Sequence, residues 1–383
     1  MQSPRYLESL TASAVDETVA RWRETFPAFS VLALLPEAEA AAVPLLQHAC
    51  MQAGIGLAGA IFPALVLETG GVQNGAILLP LVGAPAPLLV EDVSRPEAVE
   101  RLAERLAGFI DELLGESEQE ATLFCIFDAL IPNIATHLDA WYLALADRVH
   151  YAGVNAGSER FVPIDCLFDN TRCIAGGVLL QLLPGHTGAA LAHGFDVPEQ
   201  VTTATSATGN RVVQIDWRPA LEMYRETMAA QYGVAIDRDN FYSYAVHFPF
   251  GILRADGTVL VRIPVALDDA GGIFCVGEIP PNSVLLLLDA RSGAGRAPVL
   301  LAEDLAGTAS RGAHNLLTFY CAGRRMHMGE QGMRQELADL ARRTGQPHLY
   351  GALSLGEIGE SGCGGYPLFH NATLVGIPWG GGG

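Results

Sequence analysis

The chain has 383 residues, 50% of them hydrophobic and 17% charged, with a net charge of −19. That length supports one large core or two ordinary domains, and the acidic balance argues against nucleic acid and anionic membranes, whose binders carry basic stripes. All 23 basic residues are arginine, and without lysine a Schiff-base or pyridoxal-phosphate enzyme, a P-loop nucleotidase and a protein-kinase catalytic domain are excluded in their standard forms.

In chain order, Ser13 to Phe26 reads as a short amphipathic helix and Phe29 to Leu35 as a strand ended by Pro36. Ala38 to Gln52 is Ala-rich and helical despite Pro44, and a glycine turn is expected at Gly54–Gly59. Apolar segments Ala64–Leu67 and Ala76–Leu81 follow, then a turn region marked by Pro85, Pro87 and Pro96. Glu97 to Leu114 repeats its apolar residues at helical spacing. An acidic loop, Glu116–Glu120, leads to a buried strand at Leu123–Phe127 and a helix at Ile134–Ala146. A second glycine turn comes at Ala152–Glu159, with strands at Cys166–Phe168 and Gly177–Leu183.

Thr202–Ala207 and Arg211–Ile215, separated by Thr208-Gly209-Asn210, predict a hairpin. Pro219 opens a helix that ends near Gly233, where a domain boundary is placed. Gly251–Arg254 and Val259–Ala266 flank Asp256-Gly257, a second hairpin. Ile273–Val276 and Ser283–Asp289 are expected to form a third. Val299–Ala306 and Glu330–Arg343 read as helices, with Met326-His327-Met328 as the loop before the second. Leu316–Cys321, His348–Leu355 and Ala372–Ile377 read as strands, and Gly380–Gly383 as a disordered tail. Grouped hairpins with helices at intervals predict an α+β fold: two pseudo-repeated lobes of mostly antiparallel or mixed sheets, packed together and covered by helices. The expected division is an N-terminal helical extension over 1–29, a first lobe over 30–230 and a second over 231–379.

No run approaches the roughly 18–20 apolar residues of a membrane helix. The start is polar, with Glu8, Asp16 and Glu17, and lacks a signal core. A cytoplasmic location is the resulting expectation. The seven cysteines have irregular spacing and no C-x-x-C, so buried reduced thiols are expected. Gly54-Ile55-Gly56-Leu57-Ala58-Gly59 has the form G-x-G-x-x-G, but a helix precedes it, Phe62-Pro63 follows, and its acid, Glu68, comes too early for a dinucleotide site. Zinc spacings and the G-x-S-x-G elbow are absent.

The final stretch is the most informative. Tyr350-Gly351-Ala352-Leu353-Ser354-Leu355-Gly356-Glu357-Ile358-Gly359 runs into a loop, then into Phe369-His370-Asn371-Ala372-Thr373-Leu374. Weaker versions occur at Ala53–Gly59 with Asn74–Leu79, and at Ala152–Glu159 with Ala175–Leu180. Their spacing of about a hundred residues exceeds the roughly 20–50 of a solenoid, so they read as duplicated sheet units. Together with Arg218-Pro219-Ala220-Leu221-Glu222-Met223-Tyr224, His247-Phe248-Pro249-Phe250-Gly251-Ile252, Cys275-Val276-Gly277-Glu278-Ile279-Pro280 and Cys321-Ala322-Gly323-Arg324-Arg325, this signature resembles the FIST family over most of the chain. The first turn departs from the family, which usually has Gly-Cys-Thr-Thr-Ala-Gly-Glu there.

The resemblance implies a non-enzymatic bacterial sensor that binds a small ligand between its lobes and signals to a separate histidine kinase or cyclic-dinucleotide enzyme. It implies a ligand site at Gly157, Glu159, Arg262, Gly356, Glu357, His370 and Asn371. A subset of the family are haem b proteins that sense nitric oxide. On that reading His247, between Val246 and Phe248-Pro249-Phe250, is the first choice of axial ligand, followed by His193 and His370. Two other classes stay open: an enzyme using Glu159, Glu278, Glu357 and histidines in a cleft, and an interaction scaffold.

Overall fold

A computed structural model describes residues 3–115, 120–289, 295–307, 315–346, 348–360 and 365–379. The fold is α+β, with mixed and antiparallel sheets packed together in two lobes and covered by helices. The repeated sheet units lie in the larger lobe. The first comprises β1 (Arg5–Leu7), α1 (Ala12–Thr25), β2 (Phe29–Pro36), α2 (Val43–Ala53), β3 (Leu57–Phe62), β4 (Leu65–Leu67), β5 (Gly70–Val72) and β6 (Ala76–Val82). The second comprises β7 (Leu88–Val90), α3 (Pro96–Leu114), β8 (Ala121–Asp128), α4 (Ile134–Leu145), β9 (His150–Ala156), β10 (Leu167–Asp169), β11 (Cys173–Ile174) and β12 (Val178–Pro184). A third begins with β13 (Ala190–Ala192), breaks off, and resumes after residue 295.

The interruption is the smaller lobe. It holds β14 (Thr202–Thr203), β15 (Ser206–Thr208), β16 (Arg211–Ile215), β17 (Arg218–Pro219), α5 (Ala220–Thr227), α6 (Phe241–Ala245), β18 (Phe250–Leu253), β19 (Val259–Arg262), β20 (Pro264–Leu267), β21 (Ile273–Cys275) and β22 (Val284–Leu287). Two antiparallel sheets, β14-β22-β18-β19 and β15-β16-β21-β20, close over a core that includes Val212, Tyr224, Phe241, Phe250 and Leu285. The third unit then continues through α7 (Arg296–Gly307), β23 (Asn315–Cys321), α8 (Ala322–Thr344), β24 (Leu349–Ser354), β25 (Glu357–Glu360), β26 (Pro367–His370) and β27 (Leu374–Trp379).

The three units share one wiring. In each, two parallel strands joined by a helix (β2 and β3, β8 and β9, β23 and β24) are followed by a hairpin and a strand returning antiparallel to the first. Each hairpin leaves its own sheet. The β4–β5 hairpin extends β24, β10–β11 extends β3, and β25–β26 extends β9. The exchange is cyclic, so each unit completes the sheet of another. Backbone bonds near the strand ends repeat the cycle: Gly157 N–H donates to Ile61 at 2.8 Å and Leu355 N–H to Asn155 at 3.0 Å. Pro63 takes the third equivalent place and has no N–H to give.

Strands here are nearly continuous apolar runs because both faces are covered. One face of each sheet meets the shared core of Leu32, Leu34, Phe62, Phe124, Ile126, Val154, Leu317 and Phe319. The rings of Phe62 and Phe124 lie 5.9 and 6.2 Å from that of Phe319. The other face packs under a helix pair. On α1, Val15, Thr18, Val19 and Trp22 fall on one stripe, and the Thr11 hydroxyl caps the start by accepting the Ala14 N–H at 3.3 Å. On α3 the stripe is Val99, Leu102, Ala103, Leu106 and Ile110.

Several sequence expectations need correction. Gly54–Gly59 is not a turn: Gly54 is the left-handed C-cap of α2 (φ 64°), and Leu57–Phe62 is a buried strand. Ala152–Ala156 is likewise strand, within β9. The repeat register also shifts. Gly59, Gly153 and Gly351 are the equivalent glycines, since a Cβ on each would strike the carbonyl oxygen of Ala33, Cys125 or Thr318 on the parallel neighbour. The helix expected over Ala38–Gln52 is a 3-10 turn at Glu37–Ala42 followed by α2, with Pro44 in its first turn. Ile273–Val276 and Ser283–Asp289 do not pair; β21 joins β16 and β20, while β22 joins β14 and β18. Met326-His327-Met328 is helical, because α8 starts at Ala322 and kinks at Gly329 (φ 70°). The Gly380–Gly383 tail and most of the acidic loop lie outside the described residues, as does Cys363. The other six cysteines are free thiols, and all but Cys173 are buried.

Candidate functional site

Where β23 ends and α8 begins, the larger lobe meets the smaller one. A narrow cleft lies between them. The smaller lobe supplies Tyr242, Val246, Ile263, Val265 and Val276 to its wall; the larger supplies Glu159, Phe161, Cys321, Ala322, Gly323, Met326, Leu355 and Asn371. The walls are mostly apolar, with polar groups gathered at the α8 end. Clefts at lobe junctions with a few convergent polar groups are the usual setting for small-molecule sites.

Behind the cleft wall lies a buried polar cluster. Glu357 is fully buried in β25 and points to the same face as Val154, its partner across the ladder. Its carboxylate accepts Ser354 Oγ–H at 2.5 Å, Thr373 Oγ1–H at 2.7 Å and Thr373 N–H at 3.3 Å. Among the described residues no cation pairs with it. Burial therefore dominates and pushes its pKa up to about 7, against the pull of the Ser354 and Thr373 hydrogen bonds. The Cys321 thiol lies beside the same carboxylate and accepts the Ala372 N–H at 3.1 Å. Burial, and then Glu357 beside it, raise the thiol far above its ordinary value.

His370 is the ladder partner of Glu357 across β25 and β26. It is buried, its Nδ1 has no partner among the described residues, and burial holds its pKa well below the usual imidazole value. Asn371 ties the lobes together: Oδ1 accepts the Ile263 N–H at 3.1 Å, while Nδ2 donates to the His370 carbonyl at 2.9 Å. Within the larger lobe, the Arg324 guanidinium forms a buried bidentate pair with Glu336 at 2.5 and 2.8 Å. Its Nη1 donates to the carbonyls of His193 and Ala372 at 2.6 and 3.3 Å, which fixes the turn that carries Ala372 (φ 56°).

The remaining sequence-selected residues separate. Gly157 (φ 131°) ends β9 beside Leu355, in a conformation open to glycine. Glu159 lines the cleft and pairs with Arg325. Gly356 packs its α-carbon against the Phe369 ring and Asn155, with no room for a side chain. Arg262 is buried on the far side of β26. It donates to the carbonyls of Glu278 at 2.9 Å and Phe369 at 2.7 Å, lies 5.3 Å from the Phe369 ring centroid, and faces a different cleft, also lined by Arg254 and Tyr366. Burial lowers its pKa to about 10. Glu278 is committed to the start of α4, where it accepts the Ala135 N–H at 2.7 Å. The three carboxylates Glu159, Glu278 and Glu357 thus serve different partners and do not form one acid–base pair.

Haem ligation at His247 does not fit this arrangement. Among the described residues no histidine lines the interlobe cleft, and the His247 ring lies 6.0 Å from that of His327, edge to face. His193 packs on Phe195 at 5.5 Å, and its Nδ1 accepts the Phe195 N–H. Among the described residues there is no group of three or more His, Cys, Asp or Glu side chains arranged to hold a metal.

The polar cluster was only partly visible beforehand. Cys321 stood in a family-like segment but carried no assigned role, and Ser354 and Thr373 had no signal of their own. Only the closure of the third unit places β24, β25 and β27 around one point.

A sequence model of the FIST N domain matches residues 17–218, and one of the FIST C domain matches residues 220–360. No curated protein matches the chain. No helix among the described residues is long and apolar enough to cross a membrane. Two adjoining matches over nearly the whole chain, on a fold whose strand ends meet at an interlobe cleft, lead to one conclusion: the chain belongs to the FIST family, whose domains are sensory modules of signal transduction.

Proposed function

We propose that this protein is a cytoplasmic sensor that takes a small ligand into the interlobe cleft and passes its occupancy to a separate signalling protein. The observation that carries this reading is the origin of the cleft walls, which come from both lobes. A ligand held there contacts two bodies at once and favours one relation between them, which a partner can read as a population shift. The family resemblance supplies the partner class, a histidine kinase or a cyclic-dinucleotide enzyme. It also supplies amino acids as the first compounds to try. Asn371, Glu159 and the first turn of α8 are the polar groups that face such a ligand, and Glu357, His370 and Gly157 support them from behind.

The test is thermal unfolding of the full chain against a panel of amino acids and small carboxylates. A true ligand raises the melting temperature, and filling the cleft abolishes that rise. Gly323→Leu is the filling variant, because a Cβ there already meets the Ile263 side chain. A ligand that stabilises Gly323→Leu as well as it stabilises the natural chain would place the binding site elsewhere.

A further inference from the structure

The second interlobe cleft, on the far side of β26, contains two arginines that form no ion pair with a carboxylate among the described residues. Both come from the smaller lobe. Arg262 ends β19, and Arg254 follows the end of β18, its antiparallel neighbour. Residues two apart on a strand share a face, so Arg254 shares one with Ile252, and Arg262 with Leu260. All four line the cleft. Ile252 and Leu260 are directly opposite in the ladder, which sets an apolar floor between the two arginines. The larger lobe supplies the facing wall, with Tyr366 just before β26, Phe369 on it, and Asp139 on α4.

Each guanidinium meets a ring from that wall: Arg254 lies 5.7 Å from the Tyr366 centroid and Arg262 5.3 Å from that of Phe369. Arg262 is 2% exposed and directs Nε to the Glu278 carbonyl and Nη1 to the carbonyls of Val261 and Phe369. Its Nη2 makes no hydrogen bond among the described residues. Arg254 is half-buried, and its Nε is enclosed without a partner among the described residues. The two carboxylates at the cleft serve other donors. Asp139 accepts the Tyr366 hydroxyl at 2.6 Å, and Glu278 accepts the Ala135 N–H at 2.7 Å and the Thr136 hydroxyl. An enclosed donor left unpaired is costly, and a guanidinium cannot relieve the cost by losing its proton. In a chain of net charge −19, two arginines kept from carboxylates in one cleft point to an anion from outside.

We propose that this second cleft binds a small organic carboxylate with an apolar body, its carboxylate on Arg254 and its body across Ile252 and Leu260 toward Arg262. The planar fork of an arginine matches the two oxygens of a carboxylate. Tyr366, anchored through its hydroxyl to Asp139, backs the Arg254 guanidinium without taking any of its N–H groups. Nη2 of Arg262 offers a further donor at the more buried end. Inorganic phosphate satisfies the charge but not the apolar floor, and a neutral alcohol does the reverse. The arginines belong to one lobe and the rings to the other, so an occupant bridges both and gives the lobes a second input. This does not depend on what the first cleft holds.

The full chain is titrated calorimetrically with hexanoate, benzoate and phenylacetate, and with hexanol and inorganic phosphate at matched ionic strength. At least one of the three carboxylates should bind, more tightly than hexanol or phosphate. Arg254→Gln should weaken it by at least about tenfold, while Gly323→Leu, which fills the first cleft, should leave it unchanged. A readout that needs no variant is modification of arginines by phenylglyoxal, followed by peptide mass mapping. A saturating carboxylate should slow modification of Arg254 by about fivefold or more and leave the exposed Arg105 unaffected. Failure of all three carboxylates to bind overturns the proposal, as does binding equalled by hexanol or phosphate. Binding lost in Gly323→Leu but kept in Arg254→Gln, or no protection of Arg254, overturns it too and leaves the first cleft as the ligand site.

Discussion

At the scale of single residues, Glu357 is the most consequential side chain. Its pKa in the folded chain, about 7, lies above the ordinary carboxylate value, so the native state holds a proton that the unfolded state gives up. The stability it contributes is present below its unfolded pKa and is lost as pH rises through about 7. A shift of that size corresponds to about 3 kcal/mol. The natural chain should therefore lose stability between pH 5 and 8, whereas Glu357→Gln, which keeps an acceptor for Thr373, should show a flatter profile. His150, raised chiefly by its hydrogen bond to Glu360, contributes in the same direction, so the measured quantity is the difference between the two chains in urea melts across that range. Parallel profiles would mean that Glu357 is charged throughout.

At the scale of elements, the recurrent glycine is a packing requirement between parallel strands. Gly351 on β24 lies so close to Thr318 on β23 that a Cβ, whose place the backbone fixes, would overlap the Thr318 carbonyl oxygen, a backbone atom that cannot turn aside. Gly351→Ala should cost about 3 kcal/mol or more, in the range of severe overpacking. Gly54→Ala is the control. Nothing lies within 4 Å of its Cβ position, and only its left-handed conformation is at stake, worth about 1 kcal/mol. Denaturant midpoints of the two variants check the contrast; equal losses would refute the packing account. The sequence displayed these glycines but not their register. In the first copy Gly54, Gly56 and Gly59 compete for one position, and strand pairing selects Gly59.

At the scale of the whole molecule, the cyclic exchange of hairpins makes the two family-defined segments interdependent. The β4–β5 hairpin and β13, from the first segment, belong to the sheet built on β23, β24 and β27; β25, from the second, and β26, just beyond it, extend the sheet of β9 and β8. Residues 1–218 and 219–383 expressed separately should each leave sheet edges unpaired and apolar faces open. Neither should melt cooperatively alone, and mixing them should restore a cooperative transition in near-ultraviolet circular dichroism. A cooperative melt of the first fragment alone would show that the exchanged hairpins are accessory.

Local physics determined much of this protein from its sequence. Apolar runs bounded by glycine and proline located the main strands, helical spacing located α1, α3 and α4, and the absence of lysine removed whole classes of chemistry. The repeated glycine segments were legible because each unit needs the same close strand approach. The site was less legible, because its parts are far apart in the chain. Cys321, Ser354, Glu357 and Thr373 meet through pairing of β23 with β24 and β27, while Ile263 and Tyr242 arrive from the lobe inserted between β13 and α7. Burial then decided their chemistry. A carboxylate's charge state depends on the water and cations removed from around it, and that environment exists only once the two lobes and the exchanged hairpins have closed.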